Sequence, residues 1–162
     1  LAVRVVVGVS LPKGDRQKWF VEKLTELGVA ELIPLQSERS VAQPGAAAVE
    51  RLARAVIEAS KQCGRNKLMQ ISSPRSFADY VQATGQTNRS LLLLADPSGQ
   101  SLGQLELPRA GEVHCAIGPE GGFSEVELTI AKAANWTAVS LGPSILRIET
   151  AAIALAARIA MA

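Results

Sequence analysis

Two stretches near the C-terminal end decide the fold: VHCAIGPEGGFS at Val113–Ser124 and SLGPSILRIET at Ser140–Thr150. Each begins with a short apolar run typical of a β-strand, breaks into glycine and proline, and leads into a helix. Because such loops carry few side chains, their backbone N–H and C=O groups can contact a ligand directly. Loops at the carboxyl ends of strands in an open α/β sheet bind small ligands. Two such loops predict a crevice for a sizeable polar cofactor.

The same alternation of strand and helix runs through the rest of the chain. Apolar runs predict strands at Val3–Val9, Leu32–Leu35, Lys67–Ile71, Leu91–Ala95, Val113–Ile117 and Ala138–Leu141. Helical spacing predicts helices from Asp15 to Gly28, Val49 to Gly64, Ser76 to about Ala83, Ser124 to about Ala134 and Glu149 to Ala162. Loops are expected at Gln43–Ala48, Gly85–Arg89 and the breaker cluster Asp96–Gly99. This order predicts an α/β fold with a mostly parallel sheet and helices on both faces.

The composition fits one globular domain, since 48% of the 162 residues are hydrophobic. A net charge of +2 neither demands nor excludes a nucleic-acid partner. Cys63 and Cys115 lack ligand-type spacing, which argues against a zinc site and favours a reducing, cytoplasmic setting. His114 lies in a strand-like run and is interpreted as packed rather than catalytic. No signal peptide is visible, and the apolar Ala151–Ala162 is too short to cross a bilayer.

The glycine loop Gly118–Gly122 matches neither the P-loop nor the dinucleotide-binding fingerprint. Ser124 and Glu127 have the spacing of a capping box for the helix that follows. On pattern alone, a tight turn before this capped helix explains the glycine loop as well as a ligand site does. Leu91–Gly99 and Ser140–Glu149 repeat the same form, a strand followed by a breaker. That repetition favours three strand ends that converge on one ligand.

Charged residues give two further candidate groups. Arg147 and Glu149 stand among isoleucine and leucine before an apolar helix, where a charge is costly unless it is paired or used. A structural ion pair and a substrate-steadying role for Arg147 are equally open. Basic residues around the second helix are ordinarily a solvated face. Gln62, Arg65 and Asn66 nevertheless offer a compact set of donors suited to phosphate or base-edge contact.

Four segments together resemble the RsmE-type 16S ribosomal RNA (uracil-N(3))-methyltransferases of the SPOUT class. They are LPKGDRQKWFVEKLTELGVAELIPLQSERS (Leu11–Ser40), KQCGRN (Lys61–Asn66), IGPEGGFSEVE (Ile117–Glu127) and LGPSILRIETA (Leu141–Ala151), and they keep the family's order. The resemblance implies a C-terminal deep trefoil knot and a homodimer built through the knot region. Family members also carry an N-terminal RNA-binding barrel of the PUA type. Since that domain is absent and the chain starts in a strand-like run, residues 1–162 are expected to be the methyltransferase domain of a longer protein.

The resemblance also implies a cofactor, S-adenosyl-L-methionine, held in a bent shape by three loops without any metal. The residues expected to hold it are Leu94, Ala95, Ile117, Gly118, Pro119, Glu120, Gly121, Gly122, Leu141, Gly142, Ile145 and Leu146. The residues expected to contact RNA are Lys13, Arg16, Arg39, Gln62, Arg65 and Asn66.

The implied reaction moves the sulfonium methyl group onto nitrogen 3 of a uracil in 16S ribosomal RNA, whose proton must leave. Arg147 is expected to be the cation that stabilises the uracil anion, with Glu120 or Glu149 as proton acceptor or orienting group. Two alternatives stay open: a 2′-O-ribose methyltransferase of the same class, and a non-catalytic RNA-binding module. The second would bind RNA in a salt-sensitive way without a cofactor, but it leaves the glycine loops unexplained.

Overall fold

The strands of the computed structural model all pair in parallel, and the model describes residues 2–41, 45–85 and 90–162. The strands are β1 (Val3–Val9), β2 (Glu31–Gln36), β3 (Gln70–Ile71), β4 (Arg75–Ser76), β5 (Ser90–Ser101), β6 (Gly111–Ile117) and β7 (Thr137–Ser140). The helices are α1 (Arg16–Glu26), α2 (Ala46–Cys63), α3 (Phe77–Gly85), α4 (Glu125–Ala133) and α5 (Ile148–Ala160), with a 3₁₀ turn at Leu102–Gln104. The predicted α/β class is confirmed.

The strand order β3-β2-β1-β6-β5-β7 brings the loops of interest together, with β4 also beside β2. Ile117 at the end of β6 is level with Val9 of β1 and with Ala95 of β5. Ala95 is in turn level with Val139 of β7. The loops that follow β6 and β7 and the segment of β5 after Ala95 therefore start at one edge of the sheet. Because β7 pairs with β5, the connection through α4 passes over β5, and the trefoil knot stays a prediction.

Helices cover both faces of the sheet, as predicted. Side chains alternate between the faces along a strand, so Val5 and Val6 of β1 enter different cores. Val5 packs in a core with Phe20 of α1 and Leu155 of α5, and α2 contributes to the same core. Val6 packs in the core that contains Tyr80 of α3, and α4 closes that side.

Strand β5 runs farther than the sequence predicts. The expected break after Ala95 is a bulge, after which Gln100 and Ser101 pair with β7 again. Gly99 makes this return feasible, because a Cβ placed there would lie 2.4 Å from the backbone nitrogen of Val139. The breaker cluster therefore marks a bulge and a close approach of two backbones, not the end of the strand.

Helix ends agree better with the sequence than strand ends do. Gly64 ends α2 in the left-handed conformation, with φ of 73°, and Ser124 and Glu127 form the predicted capping box of α4. Helix α2 begins at Ala46, inside the predicted loop at Gln43–Ala48. Strand β3 is shorter than predicted, because only two of its residues pair with β2. Of the turn predicted at Gly85–Arg89, residues 86–89 lie outside the described residues.

Helix α5 is buried along one side, although its sequence is apolar on nearly all sides. Ala152 and Leu155 are fully buried against β1, α1 and β6. Thr150, Ala154 and Arg158 form an exposed row at four-residue spacing on the opposite side. Within the described residues, no helix has both the length and the apolarity needed to cross a membrane.

Candidate active site

A cleft of about 480 Å³ opens at the carboxyl ends of β6 and β7 and at the bulge of β5. Its walls come mainly from residues 95–98, 117–123 and 139–146, which are the three loops singled out from the sequence. The volume lies within the range of about 300–1,000 Å³ that is usual for small-molecule sites. The three segments do converge on one cleft, but only β6 and β7 end there, since the third segment is the bulge within β5.

Most of the residues expected to hold a cofactor line this cleft, and Leu94 does not. Leu94 is 1% exposed and packs in the core that contains Tyr80 and Ala116. The reason is the alternation of side chains in β5: Ala95 faces the cleft, so Leu94 must face the core. The prediction that Leu94 walls the cofactor was therefore wrong. Lining residues that were not among the expected cofactor contacts are Asp96, Pro97, Ser98, Phe123, Glu125, Leu128, Val139, Ser140, Ser144, Ile148 and Ala151.

The loop after β6 is a tight turn that presents its backbone to the cleft. The Gly122 N–H donates to the Pro119 carbonyl at 2.8 Å, and Gly122 has φ of 69°, which favours glycine. Gly142 in the loop after β7 has φ of 130°. The glycines therefore serve the turn geometry and leave the peptide groups uncovered, and ligand binding at this loop stays a prediction.

A carboxylate that the sequence placed only in a capping box also fixes this loop to β2. Glu127 is 7% exposed, and its Oε2 accepts from the Ser124 N–H at 2.8 Å. Its Oε1 accepts from the Glu38 N–H at 2.9 Å. One buried side chain thus joins the start of α4 to the segment that follows β2.

The partner of Glu149 is Arg16, not Arg147. Glu149 is 6% exposed, and its Oε1 accepts from Arg16 Nη1 at 2.9 Å. Arg16 Nη2 lies 3.9 Å from Glu120 Oε1 in the glycine loop. The structure therefore supports the ion-pair interpretation of Glu149 and gives Arg16, which was expected to contact RNA, a bridging position between α5 and the glycine loop.

The three residues expected to act in catalysis occupy different positions. Glu120 lines the cleft with its side chain 70% exposed, whereas Glu149 is buried. Arg147 is exposed at the first position before α5, between the lining residues Leu146 and Ile148. Among the described residues, its own side chain is not part of the cleft lining.

A smaller cavity, about 50 Å³, adjoins the cleft at the carboxyl ends of β1 and β2. We call it the serine groove. It is lined by Ser10, Leu11, Pro12, Lys13, Arg39, Ser40, Val41, Pro119, Glu120, Gly121 and Ile148. Two residues expected to contact RNA, Lys13 and Arg39, therefore lie beside the cleft. Arg39 Nη1 also donates to the Gly121 carbonyl at 2.8 Å.

The other expected RNA contacts lie elsewhere. Arg65 Nη1 donates to the carbonyls of Thr25 at 2.7 Å and Val29 at 3.1 Å, at the end of α1. This end of α1 leads into β2, so Arg65 and its neighbours Gln62 and Asn66 lie toward the amino edge of the sheet. Arg65 donates to carbonyls at and just beyond the end of α1, which is a structural role that the sequence pattern did not reveal.

The histidine and the buried cysteine are packed side chains. Burial is the main influence on His114 and lowers its pKa, and the Tyr80 hydroxyl lies 3.5 Å from His114 Nδ1. Burial also raises the pKa of the Cys115 thiol, while Cys63 is exposed. In residues 2–41, 45–85 and 90–162, no cluster of three or more metal-ligating His, Cys, Asp or Glu side chains occurs.

The sequence model of the RNA methyltransferase domain family matches residues 1–160. The chain belongs to this family. This methyltransferase domain is 34% identical over 156 residues to ribosomal RNA small subunit methyltransferase E from Synechocystis sp.. It is 31% identical over 163 residues to the protein of the same name from Bacillus subtilis. The resemblance to the RsmE type is confirmed.

A solved structure gives the same result in three dimensions. Ribosomal RNA small subunit methyltransferase E from Neisseria gonorrhoeae, bound to S-adenosyl methionine, superposes with a TM-score of 0.90 at 30% identity. The match covers 98% of this methyltransferase domain and 66% of that chain. The alignments to the Synechocystis and Bacillus proteins cover 93% of the domain each, but only 51% and 63% of those relatives. The chain thus spans about half to two thirds of their length.

Proposed function

We propose that this domain transfers the methyl group of S-adenosyl-L-methionine to nitrogen 3 of a uridine in 16S ribosomal RNA. The observation that carries the proposal is the cleft itself, where three loops with bare backbone meet at the carboxyl edge of the sheet. The Neisseria relative, whose fold this chain shares closely, was solved with S-adenosyl methionine bound. Relatives named as small subunit ribosomal RNA methyltransferases supply the substrate class.

The residues present fit such a ligand. Ile117, Leu141 and Leu146 give the cleft an apolar wall suited to an adenine ring, and the glycine loops give peptide groups for its polar edge and for ribose hydroxyls. When bound, S-adenosyl-L-methionine supplies a methyl group made electrophilic by a sulfonium centre. No metal is required for that chemistry, and the task of this chain is to align the acceptor nitrogen and to manage its proton.

Glu120 is the better candidate for the proton acceptor. It stands at the cleft with its carboxylate exposed, whereas Glu149 is buried and already accepts from Arg16. Glu149 then acts as an anchor that fixes Arg16 near the glycine loop. Arg147 keeps the proposed role of a cation toward the uracil anion, since the residues on both sides of it line the cleft.

The proposal extends to partners and setting. The substrate is 16S ribosomal RNA or the small ribosomal subunit, which implies a cytoplasmic enzyme. A homodimer is part of the proposal because the resemblance to the RsmE type implies one. Lys13 and Arg39 beside the cleft support RNA contact there.

Calorimetric titration with S-adenosyl-L-methionine tests the cofactor site. We expect saturable binding with a one-to-one ratio to the chain. A folded protein that shows no heat at high micromolar cofactor would contradict the proposal. Mass spectrometry of methylated small subunit RNA then separates the base from the ribose: a methyl group on the ribose would favour the 2′-O alternative, and RNA binding without any transfer would favour the binding module.

The Arg147→Ala variant tests the proposed cation. We expect methyl transfer to fall by about tenfold or more while the affinity for S-adenosyl-L-methionine stays within about twofold, because the side chain acts on the acceptor base and not on the cofactor. Arg158→Ala, an exposed arginine on the same helix, is the matched control. An unchanged transfer rate in Arg147→Ala would remove this residue from the mechanism.

A further inference from the structure

The serine groove contains a cluster of hydroxyl groups that the cofactor cleft does not use. Ser10 follows β1, and Ser37 and Ser40 follow β2. Their three Oγ atoms are mutually close: Ser37 to Ser40 is 2.8 Å, Ser10 to Ser40 is 3.1 Å and Ser10 to Ser37 is 3.3 Å. The Ser37 N–H also donates to Ser40 Oγ at 3.0 Å. Such a cluster can either donate or accept toward a ligand, because each hydroxyl can rotate.

Two cations frame these hydroxyl groups. Lys13 comes from the loop between β1 and α1 and lines the groove with an exposed side chain. Arg39 comes from the segment after β2, and its guanidinium is held on the Gly121 carbonyl. Both side chains have donors only, so a carbonyl oxygen or an anion suits this groove better than an amino group does.

The groove and the cofactor cleft share one wall. The four residues that line both cavities are Pro119, Glu120, Gly121 and Ile148. Glu120 is the one ionisable side chain among them. The Ser10 N–H donates to the Ile117 carbonyl at 3.0 Å, which ties the floor of the groove to the start of the same loop. A molecule in the groove and a methyl donor in the cleft would thus meet across the glycine loop.

We propose that the serine groove is the acceptor subsite, which receives the target uracil with N3 toward the wall shared with the cleft and its carbonyl oxygens within reach of the hydroxyl cluster and Lys13. This inference rests on the proposed methyltransferase function. Ser10 and Ser40 donate to a uracil carbonyl oxygen, and the Lys13 ammonium stabilises the charge that this oxygen gains when N3 loses its proton. Arg39 is a positioning residue that fixes the glycine loop between the two cavities.

The step balances without any further reagent. The N3 proton passes to the Glu120 carboxylate, which leaves the N3–H electron pair on the uracil imide. That pair forms the new N3–CH₃ bond, while the electrons of the broken CH₃–S bond stay on sulfur and give a neutral thioether. Glu120 returns the proton to solvent, to which its side chain is open.

The groove also accounts for selectivity between pyrimidines. Uracil presents a carbonyl at position 4, which accepts from Lys13 or a serine hydroxyl. Cytosine presents an amino group there and no N3 proton, so the donor-only Lys13 would face a donor. An unpaired donor in such a site discriminates strongly between otherwise similar ligands.

A binding experiment tests the subsite without any reaction. The ¹⁵N-labelled chain is titrated with 1-methyluracil and, separately, with 1-methylcytosine, and amide shifts are followed by NMR. We expect saturable shifts at Ser10, Ser40 and Gly121 with the uracil, about tenfold weaker binding of the cytosine, and loss of the uracil shifts in Ser40→Ala. Shifts confined to residues outside the groove, or equal affinity for the two bases, would overturn the proposal.

Kinetics with small subunit RNA test the charge at Lys13. Lys13→Gln should lower kcat/KM about tenfold with cofactor affinity unchanged, and RNA that contains 5-fluorouridine should recover most of this loss, because fluorine stabilises the uracil anion. Lys18→Gln, at a lysine of α1 that is paired with Glu22, and the exposed Ser101→Ala are matched controls expected to behave as wild type. If 5-fluorouridine changed kcat/KM equally in wild type and Lys13→Gln, Lys13 would not stabilise the uracil anion. Absence of cofactor binding would instead defeat the proposed function, while the titration with bases still decides the subsite.

Discussion

The two edges of this parallel sheet are built in opposite ways. At the amino edge, Arg4 donates to Glu31 at 2.6 Å and to Glu112, and the Ser72 hydroxyl donates to Glu31 at 2.7 Å. The strand starts are thus joined by paired charges. At the carboxyl edge, the loops after β6 and β7 and the bulge of β5 carry glycine, proline and apolar side chains around an open cleft. Polar groups satisfy one another at one edge and are left for a ligand at the other.

This difference shows how one architecture separates stability from function. At the amino edge, the charged side chains are hydrogen-bonded to one another and are not available to a ligand. Arg65 occupies the carbonyls at the end of α1 in the same way. The carboxyl edge keeps only the contacts that hold its loops in place, such as those of Glu127 and Arg16. Substitutions at the two edges should therefore differ in what they affect.

The largest effect is expected where the bulge of β5 lies against β7. Gly99→Ala places a methyl group 2.4 Å from backbone atoms of Ala138 and Val139, which cannot yield as a flexible side chain can. We expect a loss of about 3 kcal/mol in the free energy of unfolding, measured by urea denaturation. Gly103→Ala is the matched control, since its nearest neighbour is the Ser101 hydroxyl at 3.6 Å. Equal stabilities of the two variants would show that the close approach is not required.

The next effect tests whether the carboxyl edge depends on its buried ion pair. Arg16→Ala leaves the Glu149 carboxylate buried without its charged donor. We expect a loss of about 2 kcal/mol, because an uncompensated buried charge costs more than the pair gained. The control Lys18→Ala breaks an exposed pair on α1 and should cost less than about 0.5 kcal/mol. Chemical denaturation of both variants measures the difference.

A third variant separates structure from RNA contact at the amino edge. Arg65→Ala removes a guanidinium that bonds the carbonyls of Thr25 and Val29, and we expect a loss of about 1.5 kcal/mol. Arg65→Lys should recover little of this lost stability, because one ammonium group cannot reproduce the forked geometry of the guanidinium donors. Thermal unfolding measures stability, and RNA retention at moderate salt measures binding. If RNA retention falls while stability does not, Arg65 belongs to the RNA surface as the sequence had indicated.

The smallest effect is a pH dependence at the amino edge. Burial by itself raises the pKa of Glu31, but hydrogen bonds from Ser72 and Arg4 outweigh it, so the pKa lies below its ordinary value. The folded state therefore holds this proton less tightly than the unfolded state does. The resulting stability is present above the unfolded pKa and is lost as the pH falls through the lower, folded pKa.

Glu31→Gln should accordingly lower stability near neutral pH by less than about 1 kcal/mol and flatten its decline in acid, below about pH 4.5. Urea midpoints measured from about pH 7 to about pH 3 give the comparison. Glu106→Gln serves as the control for a carboxylate outside this network. Parallel acid profiles of wild type and Glu31→Gln would indicate that the edge pairs add nothing to stability.

Some features of the fold could be read directly from the sequence because they are local. The β-branched residues of Val3–Val9 are enough to predict a buried strand. Gly64 ends its helix in the left-handed region, and Ser124 caps α4. The glycine loop also follows from local signals. The return of β5 after Ala95 does not, since pairing with β7 comes from outside the segment and overrides its breaker residues.

The partners of charged residues were the hardest feature to predict from the sequence. Arg147 stands two residues from Glu149, yet Arg16 binds that carboxylate from a distance of 133 residues along the chain. Arg65 was expected to contact RNA, and only the structure shows that its guanidinium also bonds the end of α1. Long, flexible side chains can choose among several partners, and only the packed neighbours decide which one is within reach.

The sequence by itself determined the α/β class, the parallel sheet and the glycine loops that form the cleft, because periodicity and turn residues act over a few neighbouring positions. The tertiary structure alone decided that Leu94 faces the core, that Glu149 pairs with Arg16, and that Ser10 and Ser40 share a groove beside the glycine loop. These contacts join residues far apart in the chain, and their geometry depends on strand order and register, which no local pattern encodes.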